Sequence, residues 1–264
     1  MITALYSGAT GMTGQQHKLD TISNNLANTD TTGFKRVRTE FVDLFYQYAQ
    51  NAGVPVLAQT STLPSGVYTG LGSRVAATSR IFTEGNIEET GSQLDVAISG
   101  DGFMQVQLQD GTTAYTRDGA FKLDNEGVLV LNTGYRIINE TIIVPTEAVA
   151  IQFASDGTVA AVYADDTLEV LGQIQLVRFI NPTGLDALGN NLYRATPASG
   201  EPQEGIANQD GFGSFVQGYL EKSNVNAVRE MVSMITSQRA YELNSRSIQT
   251  ADDMLRTVYG LKRS

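Results

Sequence analysis

The sequence predicts an α+β fold: N- and C-terminal helices pairing as an antiparallel coiled coil, an extended arm, and a central all-β domain. Three observations predict it. Apolar residues recur every seven positions at both ends of the chain. Between them the period shortens to short runs rich in Val, Ile and Phe, broken by Gly and Asp turns. A stretch after the first helix obeys neither pattern. The 264 residues then divide into 1–33, the N-terminal helix; 34–80, the linking arm; 81–218, the β-domain; and 219–264, the C-terminal helix.

In the first helix Leu5, Met12, Leu19 and Leu26 share one face, with Ala9 and Ile22 filling it. Gly8, Gly11 and Gly14 lie inside the same pattern. Each costs about 1 kcal/mol against Ala, so the three cost about 3 kcal/mol. Such a helix is not stable alone. It needs a partner, and three small residues let one approach closely.

The other end of the chain supplies a partner of the same kind. Asn226 is suited to cap a helix whose face repeats as Met234, Tyr241, Ile248 and Leu255, with Met231, Ala251 and Val258 beside it. Glu230 lies near the positive end of the dipole, and Lys262 and Arg263 near the negative end. A helix from Asn226 to Lys262 spans about 54 Å at ~1.5 Å per residue. One narrow heptad stripe at each end predicts that the termini pair.

The central runs include "LDVAIS", "FMQVQLQ", "TTAYTR", "GVLVL", "YRII", "TIIVP", "AIQFA", "TVAAVY" and "LGQIQLVRFI". Turn signals separate them, among them Asp110-Gly111, Asp118-Gly119, Glu126-Gly127 and Asp156-Gly157. Short strands at this spacing read as an all-β domain large enough to bury its own core. Residues 46–74 hold a single charge, Arg74, and three tyrosines, Tyr46, Tyr48 and Tyr68. The composition suits either an arm lying against a protein surface or a disordered linker.

Composition excludes several functions. Charged residues are 17% and the net charge is −10. The first 45 residues are balanced and the last 46 carry a surplus of two positive charges, so the middle carries −12. No basic stripe for nucleic acid exists. Cysteine is absent, so neither disulfides nor thiolate chemistry is possible. No apolar run approaches the ~20 residues of a spanning helix. No cleavable secretory signal is visible, which points to a cytoplasmic protein or to export without cleavage.

The inventory for catalysis is thin. The single histidine, His17, lies beside an apolar helical stripe, and no His/Cys zinc site can be assembled. There is no G-x-S-x-G elbow, P-loop or complete dinucleotide fingerprint. Adjacent carboxylates such as Glu88-Glu89 and Asp252-Asp253 diverge on a strand or helix and read as solvated surface. "AYTRDGAF" sets Tyr115, Arg117 and Asp118 at a turn, where an Arg-carboxylate pair is expected. The expectation is a non-enzyme with no cofactor and no metal.

The stretch "SNNLANTDTTGFKR", Ser23 to Arg36, concentrates uncharged hydrogen-bonding groups at a helix end. In a packed lattice Asn24, Asn25 and Asn28 can bond between subunits without the desolvation penalty of charges. Two helices that need partners, flanking an acidic β-domain, describe a self-assembling subunit.

These residues resemble a known family. "LYSGATGMTGQQHKLDTISNNLANTDTTGFKR" is similar to the N-terminal signature of the bacterial flagellar axial proteins, which build rod and hook. "GYLEKSNVNAVREMVSMITSQRAYELNSRSIQTADDML" is similar to their C-terminal signature, and "LDVAISGDGFMQVQLQDGTTAYTRDGAFKLDNEG" to their shared β-domain. The resemblance covers essentially the whole chain. "STLPSGVYTGLGSRVAAT", Ser61 to Thr78, resembles the segment that sets distal-rod subunits apart from hook subunits.

The resemblance implies a structural subunit of the distal rod, a rigid hollow drive shaft that carries torque from motor to hook. It implies type III export of an unfolded chain and self-polymerisation under a rod cap. Implied neighbours are proximal rod proteins, the hook protein, and the peptidoglycan-layer and outer-membrane ring proteins. The location implied is the periplasmic rod of the basal body. The expected interface is Leu5, Met12, Leu19, Ile22, Asn24, Asn25, Leu26 and Asn28 with Met231, Met234, Tyr241, Ile248, Leu255 and Val258. The expected rod-type arm carries Tyr46, Tyr48, Leu63, Pro64, Ser65, Gly66 and Tyr68. Alternatives are a proximal rod or hook subunit and, more remotely, a carbohydrate-binding β-module or a cell-wall glycan hydrolase.

Overall fold

A computed structural model describes residues 2–50, 65–138, 142–165 and 167–261. The chain forms two units. One joins Met1–Ala27, Val37–Ser79 and Asn226–Ser264; the other joins Asn28–Arg36 and Arg80–Val225.

The first unit holds two helices, α1 (Ile2–Ala27) and α2 (Ala227–Leu261). Asn226 caps α2: its side-chain oxygen accepts from the Arg229 N–H at 3.0 Å, and its carbonyl from the Glu230 N–H at 3.0 Å. The unit also holds β1 (Val37–Asp43), β2 (Tyr46–Gln50), β3 (Val67–Gly70) and β4 (Ser73–Arg80). β1 pairs with β4, and β2 pairs antiparallel with β3. Residues 46–80, which the sequence pattern leaves without a class, thus contain strands among their described residues. Glycine and small polar residues hide the alternation there, because both faces of the β2–β3 ribbon are exposed and no apolar face is required.

The second unit is built from strands. Its main sheet runs in the order Asp186–Gly189, Leu192–Arg194, Thr113–Thr116, Phe103–Gln107, Arg136–Ile137, Leu129–Leu131 and Phe121–Leu123. Leu176–Arg178 also pairs with Phe103–Gln107, and Gln203–Gly205 pairs with Leu176–Arg178. A three-stranded sheet joins Ala150–Phe153, Thr158–Val162 and Leu168–Gln173. Ser214–Gln217 pairs with Val96–Ser99, and Tyr219–Glu221 with Ile87–Glu89. "TIIVP" does not form the strand its composition suggests. Of its described residues Ile143 makes only an isolated bridge with Val128. At the Asp156-Gly157 turn a Cβ on Gly157 would lie 2.2 Å from the Ile174 carbonyl, and φ is +87°, so only glycine fits.

The apolar core lies in this unit. One cluster centres on Val96, Ile98, Met104, Val106, Leu129, Ile174, Leu176 and Phe215. A second is aromatic: Phe103, Tyr115, Phe179 and Tyr193 meet edge to face, with centroids 4.8 Å apart for Tyr115 and Phe179. Residues 28–33 and 219–225, which periodicity groups with the helices, belong here because their hydrogen bonds are made here.

Candidate assembly interface

In the helical unit α1 packs between α2 and the strands. The glycines mark the approaches. A Cβ on Gly8 would meet Ile248 at 2.7 Å, and one on Gly11 would meet Asn244 at 2.8 Å, both on α2. A Cβ on Gly14 would meet Phe41 of β1 at 2.9 Å. On the strand side the Ser7 hydroxyl donates to the Gly70 carbonyl at 3.3 Å, and the Thr39 hydroxyl to Thr21 at 2.9 Å. Early α1 faces late α2, and Asn25 near the end of α1 reaches Glu230 near the start of α2. The helices therefore run antiparallel.

Asn25 is 1% exposed. Its amide donates to the Val37 carbonyl at 2.8 Å and its oxygen accepts from the Val37 N–H at 2.9 Å. The side chain copies one rung of a β-ladder and fixes the entry into β1. It also donates to Glu230 at 3.4 Å, and Glu230 is 1% exposed. The expectation that Asn25 bonds to a neighbouring subunit is corrected: its capacity is taken up inside its own unit. Asn24 is exposed. Asn28 is half-buried in the other unit, where its side-chain oxygen accepts from Thr31 at 3.1 Å.

The helical unit buries little apolar surface. Among its described residues only Ile22 and Ala251 are buried large or small apolar side chains. Leu5, Met12, Leu19, Leu26, Met234, Ile248 and Leu255 are half-buried along the seam. Met231, Tyr241 and Val258 are exposed, at 50%, 40% and 52%. The inner face of α2 instead carries Glu230, Ser237, Asn244 and Ala251 at heptad spacing. At ~100° per residue, Val228, Val232 and Ile235 stand on the side of α2 away from this row, and Leu243 stands on its flank. All four are more than half exposed. Hence α2 turns a largely polar row toward α1 and leaves these apolar side chains exposed.

The β2–β3 ribbon adds aromatic surface. Tyr48 and Tyr68 face each other across the strands with centroids 5.1 Å apart, edge to face. Phe45 is 89% exposed. The Tyr46 hydroxyl donates to Asp43 at 3.1 Å, which raises the Tyr46 pKa. Ser65 and Gly66 lead into β3, and a Cβ on Gly66 would lie 2.6 Å from the Gln50 carbonyl. Leu63 and Pro64 lie outside the described residues.

The β unit contains a feature the sequence reading missed. Lys35, Arg117 and Glu221 are 0%, 3% and 2% exposed. Glu221 accepts from Lys35 Nζ at 2.5 Å and from Arg117 Nε at 2.8 Å. The Gly85 N–H adds a bond to the same carboxylate at 2.8 Å. Lys35 also donates to the Thr83 carbonyl, and Arg117 to the carbonyls of Gly102, Gly100 and Ile98. Burial alone pushes the Glu221 carboxyl up; Arg117 and Lys35 outweigh it and hold the group below the usual carboxylate range. Burial pushes the Lys35 ammonium down, and Arg117 adds to this against the pull of Glu221. The Arg-carboxylate pair expected at the 115–118 turn exists, but its carboxylate is Glu221. Asp118 instead accepts from the Thr32 hydroxyl at 3.0 Å. "TGFKR" gave a signal, a lysine after a buried phenylalanine, yet nothing local names a partner 186 residues away.

Among the described residues no group of three or more His, Cys, Asp or Glu side chains is placed to hold a metal, and no helix is long and apolar enough to cross a membrane.

Three family descriptions match the chain. They are "Flagella basal body rod protein" over residues 5–35, "Flagellar hook protein FlgE/F/G D1 domain" over 97–161, and "Flagellar basal body rod FlgEFG protein C-terminal" over 216–261. The flagellar basal-body rod protein FlgG of Buchnera aphidicola subsp. Acyrthosiphon pisum is 50% identical, over 98% of this chain and 99% of its own length. FlgG of Borreliella burgdorferi is 47% identical over the whole of both chains. FlgG of Agrobacterium fabrum is 46% identical over 97% of each. A solved Helicobacter pylori flagellar hook protein, FlgE2, aligns with 71% of this chain and 43% of its own at 16% identity. Its TM-score is 0.23, too low to carry a likeness of fold.

Proposed function

This chain belongs to the FlgG family of flagellar basal-body rod proteins, and on that premise we propose that it polymerises into the distal rod through its helical unit. The observation that carries the reading is the thin core of that unit. A buried Leu, Ile or Val contributes about 1.5–3 kcal/mol. Ordering each backbone residue costs about 1–2 kcal/mol. Two long helices with Ile22 and Ala251 as their buried apolar side chains do not offset that cost alone. The outer row of α2, Val228, Val232 and Ile235, offers the missing burial to a second copy.

In this reading α1 and α2 form an antiparallel coiled coil that lines a hollow tube, and the β unit forms the outer layer. The glycines of α1 allow the close approach, and the polar inner row of α2 fixes register. The aromatic β2–β3 ribbon is the rod-type arm and bears on neighbouring subunits. Proximal rod and hook proteins adjoin the polymer at its ends, with the peptidoglycan-layer and outer-membrane rings around it. The chain arrives unfolded through the flagellar type III apparatus under a rod cap. It is a structural protein of motility, not an enzyme.

Electron microscopy of basal bodies from cells lacking this gene tests the assignment. A short proximal rod with no outer rings and no hook is expected. A complete rod with rings and only the hook missing assigns the chain to the hook side instead.

A further inference from the structure

The segment Ser214–Val225 bonds to several distant parts of the β unit. Ser214–Gln217 is the ladder partner of Val96–Ser99, whose Val96, Ala97 and Ile98 are 0% exposed. The Gln217 amide donates to the carbonyls of Gln93 and Ile151, each at 2.7 Å, and its oxygen accepts from the Phe153 N–H. Glu221 is the carboxylate that accepts from both Lys35 and Arg117, which lie 186 and 104 residues earlier in the chain. The Glu221 carbonyl accepts from the Gly33 N–H at 2.8 Å. Asn224 accepts from the Arg36 N–H at 2.7 Å and donates to the Ile81 carbonyl at 2.8 Å.

We propose that Ser214–Val225 is a closing latch: the β unit stays open until the chain is present through Glu221, then closes in one step. The reason lies in buried charge and in backbone hydrogen bonding together. Without Glu221, closure would bury two cations without the carboxylate that bonds both of them. Without Ser214–Gln217, it would bury Val96–Ser99 with its ladder bonds to that strand unmade. Every shorter piece of the chain therefore faces a penalty that the full unit does not. When a chain passes a narrow channel N-terminus first, the portion that has emerged would stay open until 221 of its 264 residues were through. That use rests on the rod reading above; the latch itself does not.

Pulsed amide hydrogen exchange during refolding of the whole purified chain tests it. The amides of Phe103–Gln107 and Thr113–Thr116 are expected to gain protection in the same phase as Ser214–Gln217, with rate constants equal within a factor of about two. Protection of Phe103–Gln107 in a separate, earlier phase overturns the latch. A second comparison uses Glu221→Gln against Glu88→Gln, an exposed neighbour on the paired strand. The first is expected to delay or abolish protection at Phe103–Gln107 and the second to leave it unchanged. Equal behaviour of the two variants also overturns it. No rod is present in this experiment, so its failure leaves the rod reading standing.

Discussion

Replacing Glu221 by Gln removes one charge and almost no volume. Its consequence follows from the buried knot. The carboxylate holds Lys35 at 2.5 Å and Arg117 at 2.8 Å, and all three side chains are almost fully buried. Breaking a buried pair by removing one partner costs about 3–5 kcal/mol, because the other charge stays buried. For a unit of this size each kcal/mol moves the midpoint by about 2–4 °C, so thermal unfolding should fall by roughly 6–20 °C. The chain has no Trp, so near-ultraviolet circular dichroism of its tyrosines is the signal. The loss should depend on pH with a definite sign. The folded Glu221 carboxyl is held low, so its contribution is full above the usual carboxylate value of ~4.3 and fades as pH falls through the folded value. Wild type and variant should differ most near neutrality and converge in acid. A midpoint within about 2 °C of wild type at pH 7 would refute the reasoning, because an unpaired buried cation cannot cost so little.

Three further outcomes are expected. Asn25→Ala removes both bonds to the Val37 backbone; at about 1–3 kcal/mol for a buried unmade bond, amide exchange near the end of α1 and at Val37 should quicken while the β unit melts unchanged. Gly8→Val places a Cβ 2.7 Å from Ile248. The helices must then separate at a cost of about 1–3 kcal/mol, read as lost helical circular dichroism or shortened rods. Val232→Asp alters a side chain already 56% exposed. The free chain should therefore fold and melt as wild type, while basal bodies carrying it should lack a distal rod. Normal rods would show that the outer row of α2 is not an assembly surface.

Much of the architecture follows from local pattern. Leu5, Met12, Leu19 and Leu26 at one end, and Met234, Ile248 and Leu255 at the other, repeat every seven residues. A helix must turn such residues to one side whatever surrounds it. Asn226 as a cap, the Gly157 turn and most β strands are likewise decided within a few residues of themselves. The close approach at Gly8 and Gly11 was legible too, since three glycines in one helix have few other uses.

Tertiary structure decided everything that joins distant parts of the chain. Periodicity marks Met231, Tyr241 and Val258 as seam residues, yet they are exposed. The α1-facing row of α2 is polar and small, Glu230, Ser237 and Asn244, and a pattern built on apolar residues cannot find it. Asn25 reads as a group free to bond outward until Val37 is seen to occupy it. Lys35, Arg117 and Glu221 each look like ordinary solvated charges in the sequence. Only the fold brings them into one dry site, where removing water makes each charge depend on the other two. Short-range patterns determined which segments are helix and strand, because backbone geometry is local. Burial and pairing are not local, so the structure alone decided where this chain holds itself together and which apolar side chains it leaves exposed.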